Sequence, residues 1–358
     1  MIGITSVSRV GEDWSCARKR YWGYEHDGTG ITKNTTNLPL ALGSALHEGA
    51  AALAEGKAIN KVVGTSVDVF RDGLFELDES VINEQASLLE GMLRGLNRYA
   101  LPNLLREYPI VAGVEMPMEM VYKDVAFVGV IDLLLKAPDG RQVVVDYKTT
   151  SSNRPQWLDS WEFSPQVHFY GELVRRVTGD PVAGVIIQGL YKGYNQRGKQ
   201  YSPFCYGHCQ KAAPPFAGEH WAYQKTQGYR HAPLWTAENM TLEKWIDEMP
   251  IEQLATQFPQ TPLIFPDEQI AKIFMDQAVS RETVLRDWRN GTSDDLSLGT
   301  VFPQNLNACS PSFGSKCRYL DICRLGAAPE DVGFEPKEQT DREIAIRRIS
   351  TRKEVKNG

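Results

Sequence analysis

The sequence predicts an α/β fold in which helices flank a mixed β-sheet. Three observations predict it: apolar runs with strand character in the middle of the chain, segments with helical spacing around them, and the order β-β-β-α-β. With 358 residues and 42% hydrophobic content, the chain can bury a sizeable core. We therefore expect one elaborated globular domain or two smaller ones.

Charge and hydropathy exclude some classes of protein. The formal net charge of -6 argues against binding nucleic acid through overall basicity, although a local basic patch or bound metal could serve instead. No run approaches the roughly 20 apolar residues that span a bilayer, and residues 1–6 lack a basic region followed by an apolar stretch. We expect a cytoplasmic protein without membrane contact, whose six cysteines are not a disulfide framework.

Two helices precede the predicted sheet. The first covers residues 41–54 and places Gly43 and His47 one helical turn apart. The second covers residues 84–108, with leucines and a methionine at helical spacing. A strand over residues 111–120 then opens the sheet.

The next two strands form a predicted β-hairpin. The turn signal at residues 137–140 separates apolar runs at 125–136 and 141–147, so Asp132 and Asp146 lie on neighbouring strands. Because side chains alternate across a strand, Asp146 and Lys148 project from the same face. The sequence predicts that two carboxylates and an ammonium converge.

This trio suits metal-dependent cleavage of a phosphodiester. Carboxylate oxygens suit Mg²⁺ or Mn²⁺, which can neutralise the phosphate and generate hydroxide. Asp132 and Asp146 would hold the ion, and Lys148 would orient water or stabilise charge on phosphorus. The alternative is a hairpin with ordinary surface charges.

Helices and short strands follow the hairpin. Ser164 and Pro165 begin a helix that runs to about residue 177, with Gln166 and Tyr170 on one face. The remaining predicted elements are a strand at 182–191, its hairpin partner at 199–205, and helices at 241–258 and 267–290.

Four motifs occur in order: Gly43-x-x-x-His47, Gly129-x-x-Asp132, Asp146-x-Lys148 and Gln166-x-x-x-Tyr170. Together they resemble the PD-(D/E)XK nuclease superfamily, in particular its RecB-like branch, which includes CRISPR-associated RecB-like exonucleases, the AddB nuclease domain and phage exonucleases. The resemblance implies a restriction-endonuclease-like core, with His47, Asp132 and Asp146 as metal ligands and Lys148 as the catalytic lysine. Gln166 and Tyr170 would position DNA or the site, and Glu115, on the preceding strand, is a further candidate ligand.

The resemblance also covers four cysteines. Cys16 and the downstream group Cys309, Cys317 and Cys323 are similar to the iron-sulfur staple of RecB-like nucleases, which binds a [4Fe-4S] cluster. Zinc could use the same ligands, and unliganded thiols are the third option. A second group around Cys205, His208 and Cys209 could hold zinc, although we favour the absence of a site there.

The organisation that follows has five parts. They are an N-terminal segment at 1–40 with the first cluster cysteine, a nuclease core at 41–205, an inserted or capping region at 206–300, a cysteine cluster at 301–330, and a charged tail at 331–358. In the first segment, Arg18, Lys19, Arg20 and Tyr21 could line a DNA channel or form solvated surface.

We therefore expect a metal-dependent DNA exonuclease of recombination, repair or phage DNA metabolism, acting in the host cytoplasm if phage-encoded. DNA is the expected partner, with a homo-oligomer or a partner helicase or recombinase as further options. The alternative is a non-catalytic DNA-binding or assembly subunit that retains the nuclease fold. A hydrolase with a substrate other than nucleic acid is the third hypothesis.

Overall fold

The computed structural model describes residues 3–33, 38–72, 74, 77–151, 155–196, 199–201, 242–291, 297–309 and 316–337. Its strands are β1 (Gly3–Thr5), β2 (Ile31–Lys33), β3 (Ile110–Tyr122), β4 (Val125–Lys136), β5 (Gln142–Thr150), β6 (Val182–Tyr191), β7 (Tyr194–Gln196), β8 (Lys199–Tyr201) and β9 (Phe334–Pro336). Its α-helices are α1 (Val7–Ser15), α2 (Ala17–Arg20), α3 (Leu38–Ala54), α4 (Ile59–Asp72), α5 (Glu79–Gly95), α6 (Leu101–Glu107), α7 (Pro155–Asp159), α8 (Pro165–Thr178), α9 (Leu242–Glu248), α10 (Ile251–Ala255), α11 (Glu268–Arg289), α12 (Leu298–Val301) and α13 (Leu320–Leu325).

Strand β4 is the centre of a five-stranded mixed sheet. One edge of β4 pairs with β3 in antiparallel fashion along most of its length. The other edge is shared, because residues 125–127 pair with β1 in parallel and residues 133–136 pair with β5 in antiparallel. Strand β6 then continues the sheet parallel to β5. The predicted mixed sheet is confirmed.

Helices cover both faces of this sheet, as predicted. On one face, α3, α4 and α5 pack together over buried side chains such as Val143 and Val145. On the other, α8 and α11 pack over Val144 and Ile187. The continuous apolar runs of β4, β5 and β6 follow from burial on both faces.

Local sequence signals fix the ends of the two longest helices on the second face. Helix α8 begins with Pro165 after the cap Ser164 and ends at Gly179, whose φ of 76° is the left-handed conformation that glycine favours. Helix α11 is capped at its N-terminus by Asp267, whose side chain accepts backbone hydrogen bonds from Gln269 and Ile270. Both helices match their predictions within one or two residues.

One helix was missed, and two predictions need correction. Helix α4 was not predicted, and residues 199–201 pair with β7 instead of β6. The helix predicted at 241–258 is broken into α9 and α10 by Pro250, because proline lacks the N–H that a helix interior requires.

The predicted inserted region is partly described. Helix α9 packs on α5, and α11 packs on α8 and β1, so residues 242–291 belong to the core layers. Residues 202–241, which include Cys205, His208 and Cys209, lie outside the described residues, as does the tail from 338. Within the described residues, none of the helices combines the length and apolarity that crossing a membrane requires.

For Arg20, both predictions made for the basic segment, DNA contact and solvated surface, are wrong. Its side chain is 1% exposed and pairs with Glu25 and with Glu282 of α11, so it is neither solvated surface nor open to DNA. Arg289 completes the cluster by donating to Glu25 at 2.6 and 2.9 Å. Burial requires such partners because an isolated internal charge is costly. The cluster joins the N-terminal segment to α11.

The other members of the segment lie nearby. The Arg18 Nε donates to the Phe302 carbonyl (2.8 Å), and the Lys19 Nζ donates to the Ser15 hydroxyl (3.1 Å). Tyr21 packs against Trp22 and Phe302. DNA contact by Arg18, Lys19 and Tyr21 stays a prediction.

Replacing Arg20 with alanine should lower the free energy of unfolding by about 3 to 5 kcal/mol, because the buried carboxylates of Glu25 and Glu282 lose a buried charged partner that both contact. Urea titration followed by circular dichroism measures this change. Arg141→Ala is the matched control: its pair with Asp139 is about half exposed, so we expect a loss of less than about 1 kcal/mol. Equal losses in the two variants would contradict a structural role for the buried cluster.

Candidate metal and catalytic centre

The centre forms where β4 and β5 separate. Their last paired residues are Leu133 and Val145, and the next position on each strand is Asp132 and Asp146. In place of a continued ladder, the Tyr147 N–H donates to the Asp132 Oδ2 at 2.8 Å. A side chain therefore satisfies a backbone donor, and the strands spread around the two carboxylates.

Strand β4 changes the face of its side chains at Asp132. Ile131 belongs to the core under α8, whereas Leu133 belongs to the core under α3, although residues two apart in a regular strand share a face. Asp132 is the residue between them. Its carboxylate lies at the place where the sheet turns from one core to the other.

Strand β3 makes the same change opposite it. Val114 pairs with Leu133 and packs under α3, whereas Met116 pairs with Ile131 and packs under α8. Between them, Glu115 has a φ of 44°, the left-handed conformation that is uncommon for a residue with a side chain. This backbone conformation brings Glu115 into the site.

His47 enters from α3. Its Nδ1 lies 3.3 Å from the Asp132 Oδ2, and its ring packs edge-on against Tyr147 with centroids 6.3 Å apart. Burial lowers the pKa of His47, but the hydrogen bond to Asp132 and the charge of Asp132 outweigh it, so the net pKa is raised.

His47, Glu115 and Asp132 form a compact donor group. Their ligand atoms all lie within 4.8 Å of one another, and no other trio of described His, Cys, Asp or Glu side chains meets this limit. Two ligands on opposite sides of one Mg²⁺ or Mn²⁺ lie about 4.2 Å apart, twice a metal–oxygen bond of about 2.1 Å. The three side chains could thus bind such an ion after small movements. Glu115, the further candidate, lies beside the predicted ligands His47 and Asp132.

Asp146 lies beside this group and is almost fully buried. Lys148 Nζ lies 2.6 Å from its Oδ2, which confirms that the two side chains share a face, and Gln166 Nε2 donates to its Oδ1 at 3.1 Å. Burial raises the pKa of Asp146 to about 6; Lys148 opposes this shift, and the charge of Asp132 adds to it. The carboxylate is poised to exchange a proton for a cation.

Tyr170 lies one turn after Gln166 on α8 and faces the same centre. Burial raises its pKa, and the charges of Asp146 and Asp132 raise it further, so the hydroxyl stays protonated and can donate. Gly129 makes room for it, because a Cβ there would lie 3.3 Å from the Tyr170 ring and 3.0 Å from Leu173. This close approach gives the glycine of the second motif a physical role.

The sequence reading missed Trp161. This residue precedes α8, and its ring centroid lies 5.9 Å from the Lys148 Nζ. The signal was present as Trp157 and Trp161 between the Asp146-x-Lys148 and Gln166-x-x-x-Tyr170 motifs. Only the path of the connecting chain brings the indole to the lysine.

The four predicted cysteines lie in one region and form no disulfide. Asn305 N donates to the Cys16 sulfur at 3.3 Å, and Trp22 Nε1 donates to the Cys323 sulfur at 3.0 Å. Burial raises the pKa of Cys323 to about 11, and the nearby thiols of Cys317 and Cys16 raise it further. The structure therefore brings the N-terminal cysteine to the C-terminal ones.

Comparison with known proteins agrees with this geometry. The family model of the PD-(D/E)XK nuclease superfamily matches residues 5–324. The matched range includes the metal donors, Lys148 and all four clustered cysteines. No curated protein matches the chain in sequence.

Metal affinity should rise with pH. In the metal-free protein both His47 and Asp146 hold protons to a higher pH than usual, and a cation requires the deprotonated forms. Mn²⁺ affinity should therefore increase about tenfold per pH unit for each proton released, most steeply below about pH 6, where both groups are protonated, and less steeply above it, until His47 has also lost its proton.

Calorimetric titration with Mn²⁺ between about pH 5 and about pH 8 measures this dependence, and buffers of different ionisation enthalpy count the protons released. Asp146→Asn removes one titrating group and should flatten the curve. An affinity that does not change across this range would contradict the expected exchange of protons for metal.

Proposed function

Because the chain belongs to the PD-(D/E)XK nuclease superfamily, we propose that it is a Mg²⁺- or Mn²⁺-dependent DNA exonuclease that hydrolyses phosphodiester bonds. The observation that carries this proposal is the compact group of His47, Glu115 and Asp132 beside the pair of Asp146 and Lys148. Three protein ligands would leave other coordination positions of the ion for water and a phosphate oxygen.

The ion, when bound, would neutralise the phosphate and lower the pKa of bound water. His47, Glu115 and Asp132 would hold it, and Asp146 would join them after losing its proton. The Tyr147 N–H fixes the Asp132 carboxylate (2.8 Å), so one ligand is oriented in advance.

Lys148 is the proposed catalytic lysine. Its ammonium would orient the attacking water or stabilise the charge that develops on phosphorus. Gln166 orients Asp146 through the 3.1 Å hydrogen bond, and the protonated Tyr170 hydroxyl can donate to substrate or to a carboxylate. These contacts support a catalytic site over one that only binds its ligand.

On the face of α3 that carries His47, the described residues leave space one turn earlier. Apart from α3 itself, none of them lies within 4 Å of a Cβ built on Gly43, and the His47 side chain is 30% exposed. A nucleic-acid end could therefore approach the helix closely at Gly43. This open approach supports a polymeric substrate.

We assign the chain to the RecB-like branch because its four motifs occur in that order, and we propose that it acts on DNA in recombination, repair or phage DNA metabolism. The alternative is a non-catalytic DNA-binding or assembly subunit. The presence of both the donor group and Lys148 favours an enzyme over such a subunit.

We also propose that Cys16, Cys309, Cys317 and Cys323 bind a [4Fe-4S] cluster. The thiols of Cys16 and Cys309 act electrostatically on Cys317, and those of Cys16 and Cys317 act on Cys323, which supports one shared site. Four thiolates are the number that such a cluster takes. A zinc ion bound by the same four cysteines is the alternative.

Metal analysis of anaerobically purified protein tests the cluster. We expect iron and acid-labile sulfide in equal amounts, and their loss in Cys323→Ser, with a lower free energy of unfolding because ligand binding is linked to folding. Zinc in place of iron would identify the alternative, and neither metal would leave the cysteines as free thiols.

Cleavage of end-labelled single- and double-stranded DNA tests the function. With Mn²⁺ or Mg²⁺, Lys148→Ala should lower the rate by at least about a thousandfold yet still bind Mn²⁺, because the lysine acts on the reaction and not on the metal. Asp132→Asn should lose both DNA cleavage and Mn²⁺ binding, since it replaces a charged ligand with a neutral amide.

A circular DNA substrate distinguishes an exonuclease from an endonuclease, because an exonuclease needs a DNA end and does not cleave the circle. Cleavage of the circle would replace the exonuclease with an endonuclease. If wild-type protein that binds Mn²⁺ cleaves none of these substrates, the non-catalytic subunit becomes the better assignment.

A further inference from the structure

The segment between β5 and α8 carries two tryptophans beside the catalytic centre. The rings of Trp157 and Trp161 pack edge to face, with centroids 5.9 Å apart. Trp157 rests on Gly189 of β6, where a Cβ would lie 2.9 Å from its ring. Gly189 is also the residue that pairs with Lys148 across the two strands. The aromatic pair is therefore seated directly beside the lysine.

This segment is also fixed to α8. The Ser164 N–H donates to the Trp161 carbonyl at 3.0 Å, and the buried His168 contacts the Glu162 carbonyl through Nε2 at 2.8 Å. The other ring nitrogen of His168 accepts from the Asp267 N–H at 3.0 Å. These hydrogen bonds fix the position of Trp161 relative to α8, the helix that carries Gln166.

Lys148 lies between a carboxylate and this indole. Its Nζ is 2.6 Å from the Asp146 Oδ2 and 5.9 Å from the centroid of Trp161. A cation within about 6 Å of an aromatic face is attracted to it. The ammonium therefore has one charged partner and one aromatic partner.

The charged partner is the one that a metal ion would take. With a divalent cation on Asp146, the same carboxylate no longer offers Lys148 a full negative charge, and the two cations repel each other. The indole keeps its attraction, because the ring is neutral, does not titrate in this pH range and is not a ligand of these cations.

We propose that Trp161 is a positioning residue that keeps the Lys148 ammonium in the centre once metal has taken Asp146. This inference rests on the proposed function, because the lysine is positioned for phosphodiester hydrolysis. Trp161 acts through Lys148, so its loss should lower the rate of the chemical step and leave the binding of metal and DNA nearly unchanged.

Two substitutions at position 161 distinguish the effect of the aromatic ring from the effect of side-chain volume. Trp161→Phe retains an aromatic face, whereas Trp161→Leu removes it with a similar loss of volume. We expect the single-turnover rate constant at saturating protein to fall about tenfold in Trp161→Leu and less than about threefold in Trp161→Phe. The half-saturating protein concentration and the Mn²⁺ affinity should change less than about twofold in both.

A matched control tests for a general effect of losing a tryptophan. Trp14→Leu removes a half-exposed indole of α1 that packs edge-on against Phe274, with centroids 5.5 Å apart. Trp14 has no role in the proposed site, and its variant should keep the wild-type rate constant.

A second readout does not depend on cleavage. Trace acetylation of the Ca²⁺-loaded protein, followed by mass spectrometry of peptides, reports how freely the Lys148 amine reacts. It should rise several-fold in Trp161→Leu relative to Trp161→Phe, with Lys136 as the internal reference.

The two readouts distinguish failure of this inference from failure of the proposed function. If wild-type protein cleaves no DNA, the acetylation alone decides whether Trp161 holds Lys148. Equal rate constants and equal acetylation in the Phe and Leu variants would overturn the proposal. Loss of Mn²⁺ binding in Trp161→Leu would overturn it as well, because the indole would then support the fold of the centre and not the lysine.

Discussion

The unpaired stretch along one edge of β4 is the constraint on which the candidate site depends. Residues 125–127 of that edge pair with β1 and residues 133–136 with β5, so the positions between them face a gap in the ladder. A sheet interior normally satisfies every backbone donor with a backbone acceptor. Here the carboxylate of Asp132 accepts the Tyr147 N–H instead, which keeps the gap open. His47 reaches it from one layer of helices, and Gln166 reaches it from the other.

The protein only partly compensates the negative charge of Asp146 in this gap. Asp146 is buried, and although Lys148 and Gln166 both contact it, burial still raises its pKa to about 6. A fully compensated carboxylate would have an ordinary or lowered pKa. A divalent cation beside Asp146 would offset the remaining electrostatic cost, so its binding would be coupled to loss of the Asp146 proton.

Regular periodicity explains how much of this could be predicted from sequence. The strands at 125–136 and 182–191 match to the residue because they are continuous apolar runs buried on both faces, and the shared face of Asp146 and Lys148 follows from a period of two. Glu115 was only a secondary candidate because its place in the donor group depends on a φ of 44°, which no local pattern encodes. The contact of Trp161 with Lys148 and the burial of Arg20 depend on chain paths between segments distant in sequence, which propensity does not specify.

Helix α11 connects the N-terminal segment to α8, one of the helices that contribute to the candidate site. Glu282 on this helix pairs with Arg20 of the N-terminal segment, four residues after Cys16, and the same helix packs on α8, which carries Gln166 and Tyr170. The strand pair of β2 and β9 joins the N-terminal segment to the C-terminal one. A ligand held by the cysteines would therefore restrain α11 through buried ion pairs, and α11 would restrain α8 through packed side chains. A bound ligand there would stabilise α8 from a distance, without contacting the phosphate of a substrate.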